Sequence, residues 1–114
     1  LGTRGWSGFS LWGGSISFDT TQTWHFGLTT AGLDPNELDF YSVATHELGH
    51  VLGIGTADRW FSQVQGSAFV GPNARAVYGG PVPLNADKAH WADGVTVGGK
   101  PVSLDPVMNY GVRV

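Results

Sequence analysis

The eight residues His46-Glu47-Leu48-Gly49-His50-Val51-Leu52-Gly53 decide how the rest of the chain is read. On a helix, side chains four apart stand one above the other, so His46 and His50 would turn both imidazoles to one side and share one ion. Glu47 would stand beside that ion, placed to take a proton from an activated water and pass it to a leaving amine. Gly53 supplies the stop. Phe40, Val43, Ala44, Leu48, Val51 and Leu52 recur at helical spacing and predict one buried face, with His46, His50 and Gly53 on another side. Asp39 is the expected N-cap of a helix over about 39–52, with Asp34-Pro35-Asn36-Glu37 as a competing turn just before it. An ordinary amphipathic helix with two surface histidines is the plainer alternative. His-Glu-x-x-His arises by chance in on the order of one in a few hundred chains of this length, which favours the metal site.

Composition narrows the function classes. The chain has 114 residues, enough for one small domain. With 41% hydrophobic residues, 13% charged residues and 18 glycines, it reads as a loop-rich folded domain. A net charge of -3 and six scattered Lys and Arg make no basic stripe for nucleic acid, and no apolar run is long enough to span a bilayer. Cysteine is absent, so a zinc ion would be held by nitrogen and oxygen. Leu1 begins without a charged and apolar leader, which fits a removed signal peptide or an internal piece of a longer protein.

Along the chain, Ile16 and Phe18 alternate with Ser15, Ser17 and Asp19 as in a half-buried strand, and Trp24 and Phe26 continue the pattern. After Gly55 periodicity dissolves among Gly66, Gly71, Pro72, Gly79-Gly80, Pro81 and Pro83, predicting a mostly looped lower half. Short helical turns are expected at 59–65 and 74–78. Burial accounts for Trp6, Trp12, Trp24, Trp60 and Trp91 more simply than a sugar-binding platform. His25 reads as a surface residue.

A catalytic zinc usually takes three protein ligands and keeps a fourth position for water, so two histidines leave one ligand to find. No glutamate follows the motif. Beyond Gly53 the one histidine is His90 and the carboxylates are Asp58, Asp87, Asp93 and Asp105, with His90 leading.

His46 to Gly53, followed far downstream by Asp105-Pro106-Val107-Met108, resembles the metzincin clan of zinc endopeptidases, which includes matrixins, astacins, serralysins and leishmanolysin-like enzymes. The commonest clan pattern places a third ligand three residues after the glycine, where this chain has Thr56, a poor ligand. Leishmanolysin-like members and some bacterial matrixin-like relatives instead use a late His-Trp pair, and His90-Trp91 resembles it. Gly53-Ile54-Gly55-Thr56 and Gly79-Gly80-Pro81-Val82-Pro83-Leu84 resemble what such bacterial relatives carry in between. The resemblance therefore implies zinc on His46, His50 and His90, with Asp58 as the alternative third ligand.

By the same resemblance, Met108 would sit in a Met-turn beneath the histidines, its thioether filling an irregular gap. Tyr110 would border the specificity pocket or stabilise an oxyanion. Asp19, Trp24 and 14–18 resemble the matrixin strand before the helix, where carboxylates can hold calcium; one aspartate falls short of six or more oxygens, and calcium stays open. The implied fold is α+β: a small twisted mixed sheet on the active-site helix, then a loop-rich lower part ending in the Met-turn. Residues 1–114 would form a single catalytic domain, marginally stable and lacking the family's preceding strand and long helix and its C-terminal helix. The implied function is secreted zinc-dependent hydrolysis of internal peptide bonds in protein or peptide substrates, with Glu47 as general base. A catalytically silent, zinc-stabilised binding or adhesion module is the alternative. Nothing in the sequence sets the oligomeric state.

Overall fold

A computed structural model describes residues 13–102. Trp6, Trp12, Asp105, Met108 and Tyr110, with the expected Met-turn, lie outside the described residues. The elements run β1 (Trp24–His25), β2 (Leu38–Asp39), α1 (Phe40–Val51), α2 (Asp58–Phe61), β3 (Val64–Gln65), β4 (Ala68–Phe69), α3 (Pro72–Tyr78), β5 (Val82–Pro83), β6 (Thr96–Val97) and β7 (Lys100–Pro101). This is α+β, but among the described residues the strands form three small sheets rather than one. β1 pairs parallel with β2, β3-β4-β5 is antiparallel, and β6-β7 is an antiparallel pair.

The helix begins where its sequence says it should. His25 lies opposite Asp39 in the β1-β2 ladder, so the strand delivers a buried aspartate to the N-cap. The Asp39 carboxylate accepts the Ser42 backbone N–H at 3.2 Å and the Ser42 hydroxyl at 2.6 Å, satisfying one of the first-turn donors that a helix leaves unpaired. The competing turn also forms, as a preamble: the Asp34 carboxylate accepts the Asn36 N–H at 2.8 Å. Above the first turn, Phe40 gathers Phe18, Trp24 and Phe26 at ring-centroid distances of 4.7, 5.6 and 5.0 Å.

Two expectations need correction. Ile16 and Phe18 are half-buried and alternate with exposed Ser15, Ser17 and Asp19, yet among the described residues the segment joins no ladder. An alternation of exposed and half-buried side chains does not by itself require strand pairing. Leu48 and Leu52 were expected on the buried face of α1 but are 51% and 59% exposed. Phe40, Val43, Ala44 and Val51 of the same face are half-buried, and no residue of α1 is fully buried.

The core lies instead in the half that looked mostly looped. Trp60, Phe69, Val82, Leu84 and Val95 are buried together, with Val64, Trp91 and Val102 packed against them. Trp60 stacks on Phe69 at 4.1 Å and meets Trp91 at 5.0 Å, while its indole N–H donates to the Lys88 carbonyl at 2.8 Å. Two-residue strands carry too little periodicity to announce such a core. Trp60→Ala is expected to cost about 3–5 kcal/mol, because it deletes the largest buried ring among the described residues and orphans a carbonyl. Denaturant unfolding would register this as a lower midpoint at similar slope.

Candidate metal centre

α1 places His46 and His50 one turn apart, and its C-terminus orients the second ring. Gly53 has φ +106°, a left-handed conformation that costs a side chain energy, and lets the chain double back. The Gly53 N–H donates to the His50 carbonyl and the Ile54 N–H to the Gly49 carbonyl, both at 3.0 Å, which is the paired bonding of a Schellman end. That turn brings the Ile54 carbonyl to His50 Nδ1 at 2.8 Å. A carbonyl only accepts, so the proton sits on Nδ1 and the Nε2 lone pair faces away from the turn. Thr56 donates its hydroxyl to the His50 backbone carbonyl at 2.6 Å, so the residue at the common third-ligand position secures the helix end instead.

The third ring arrives from the loop between β5 and β6. Leu84 and Trp91 form an isolated antiparallel bridge, and the Asn85 N–H donates to the His90 carbonyl at 2.9 Å, so the loop is pinched shut below His90. His90 Nδ1 lies 2.7 Å from Asp87 Oδ2. The Asp87 carboxyl is held below its usual range, first by the Ala89 backbone N–H and then by the His90 ring. As an acceptor, it places the imidazole proton on Nδ1 and leaves Nε2 bare.

His50 Nε2 lies 3.0 Å from both His46 Nε2 and His90 Nε2. The rings of His46 and His90 are parallel, within 4°, and His50 stands nearly perpendicular to both. Between His50 and His90 two lone pairs face each other at that distance, an arrangement that repels unless a cation lies between them. Tetrahedral zinc with bonds of about 2.0–2.1 Å spaces its nitrogens roughly 3.3 Å apart, close to the spacing here. The donor set therefore fits zinc, and among the described residues these three form the one group of at least three His, Cys, Asp or Glu able to hold a metal. The pKa of His46 is lowered, mainly by burial and then by the neighbouring His50. The neutral ring's contribution to stability is thus complete above the ordinary imidazole value and is lost as pH falls through the lowered one.

Glu47 is half-buried and lines, with His50, Val51 and Thr56 and with Gly14, Ser15, Ile16 and Ser17, a cavity of about 320 Å³. Asp58 is exposed in the first turn of α2 and is not part of the imidazole group. Asp19 closes a turn, accepting the Thr21 N–H and hydroxyl at 2.8 and 2.7 Å, and belongs to no metal-holding group among the described residues. His25, expected at the surface, has a side chain only 12% exposed: Nε2 lies 2.9 Å from the Thr29 carbonyl and Nδ1 lies 3.5 Å from Glu37. Sequence reasoning missed Ile54 and Gly55 and weighed Asp87 only as a ligand. The i,i+3 spacing of Asp87 and His90 was the available signal.

One comparison with known proteins covers the helix that carries His46 and His50. A family model described as Matrixin matches residues 7–65, slightly more than half of the chain, and ends before His90. Matrix metalloproteinase-25 of Mus musculus is 48% identical over 42 residues, covering 37% of this chain and 6% of that relative. The chain thus spans a small fraction of the length of the relative it matches. No solved structure matches it.

Proposed function

Given that this chain belongs to the matrixin family, we propose that it is a zinc-dependent endopeptidase in which His46, His50 and His90 hold the metal and Glu47 moves the protons. The observation that carries the reading is the convergence of three Nε2 atoms, two of them 3.0 Å from the third, beside a cleft that Glu47 lines. When bound, zinc supplies the Lewis acidity that polarises a scissile carbonyl and lowers the pKa of an attacking water. The Ile54 carbonyl and the Asp87 carboxylate keep His50 and His90 in the tautomer that offers Nε2. Glu47 takes a proton from the water and delivers it to the departing amine nitrogen, so that an amide and a water become a carboxylic acid and an amine. The cavity lined by 14–17 gives an extended peptide a place to lie beside Glu47.

Proteins and peptides are the substrate class in this reading, and secretion is the location that the family resemblance suggests. No helix among the described residues is long and apolar enough to cross a membrane. The reading is tested with the full chain, an unfolded protein substrate and a peptide library. Cleavage at internal bonds should vanish when a strong chelator removes the metal and return when zinc is added back. A zinc-loaded chain that leaves both substrates intact would overturn the enzyme reading and favour a silent binding module.

A further inference from the structure

The metal reading explains why His90 is needed but not what holds a loop residue in register with a helix. We propose that Asp87 and Gly55 are positioning residues for His90, Asp87 by fixing its ring and tautomer, Gly55 by setting the distance between its loop and α1. This rests on the proposed three-histidine centre.

Asp87 reaches both the backbone and the ring of the residue it positions. Its Oδ1 accepts the Ala89 N–H at 2.9 Å and the His90 N–H at 3.3 Å, while Oδ2 lies 2.7 Å from His90 Nδ1. One carboxylate therefore references main chain and imidazole to a single rigid plane. Because both oxygens of the ionised group only accept, the bare Nε2 is the atom left facing His50.

Gly55 acts from the other side. It lies just past the helix end with φ +71°, and a Cβ there would meet the Ala89 carbonyl oxygen at 2.1 Å and the Ala89 carbonyl carbon at 2.9 Å. Both are backbone atoms of the residue beside His90, so no rotamer change relieves the clash. A side chain at 55 must push the loop away from α1. The loop cannot retreat freely, because the Trp60 indole holds Lys88 through its carbonyl at 2.8 Å.

The test uses Asp87→Asn, Gly55→Ala and a control in the full chain. In Asp87→Asn the amide oxygen can still accept the turn N–H groups, but the amide nitrogen now donates to His90 Nδ1 and drives the proton to Nε2, the atom that faces the metal. Gly94→Ala is the control for Gly55→Ala: it has the same left-handed backbone, φ +82°, with open space where the Cβ would go.

Zinc affinity is read by competition with a chromophoric chelator, and the His90 tautomer by nitrogen NMR of the metal-free chain. The expected result is a loss of about 10–100-fold in zinc affinity for Asp87→Asn, the range typical of outer partners of metal ligands, with the His90 proton moved from Nδ1 to Nε2. Gly55→Ala should lose at least about tenfold relative to Gly94→Ala, with the wild-type tautomer retained. Unchanged affinity or tautomer in Asp87→Asn overturns the role of Asp87, and Gly55→Ala matching Gly94→Ala overturns that of Gly55. A wild-type chain that binds no zinc overturns the three-histidine reading itself, and the positioning roles with it.

Discussion

Replacing Glu47 with glutamine is expected to lower peptide turnover by about 10²–10⁴-fold while leaving zinc affinity within roughly a factor of two. Glutamine keeps the shape of the side chain and loses its basicity. Glu47 stands outside the three-imidazole group, so the metal loses no donor. It lines the cleft next to His50, so the proton acceptor is what disappears. Steady-state kinetics on a defined peptide, run beside metal content, separates the two effects. A variant that retains turnover would remove Glu47 from the mechanism, and one that loses zinc together with activity would make it a ligand or a structural support.

His90→Ala is expected to weaken zinc binding by more than about 100-fold, beyond the 10–100-fold that loss of an outer partner costs. The reason is the ligand count. Two histidines on one helix leave half of a tetrahedral site open, and no other histidine or acidic side chain among the described residues joins the group to replace the third. Asp58→Ala should leave affinity unchanged, because that carboxylate is exposed at the start of α2. Since metal and protons compete for the same nitrogens, affinity of the wild-type chain should also fall on acidification.

The sequence made the helix and two of its histidines legible because both signals are local. Asp39 sits one residue before the periodic run and Gly53 one residue after the last turn, and each does at the helix end what its chemistry suits it to do. His90 led the candidates as the one histidine left after the motif, and the resemblance of His90-Trp91 to a late His-Trp pair favoured it over Asp58. The supports of His50 and His90 were not legible. Ile54 contributes a backbone carbonyl, which no side-chain pattern reports, and Gly55 matters because of where Ala89 is brought by a fold whose strands are two residues long. The apolar spacing of α1 predicted a buried stripe through Leu48 and Leu52, but periodicity states which residues share a face and not whether anything covers it. Trp60 and Phe69 anchor the core from a region read as loops, because close-packed aromatics can build a core without long periodic elements.

The three-histidine centre is tested most directly by elemental analysis of the purified full chain and of His90→Ala, each dialysed against a weak chelator. A single retained zinc per wild-type chain and its loss from the variant is the expected pair of results. Equal retention in both would move the third ligand away from His90, and no zinc in either would contradict the centre altogether.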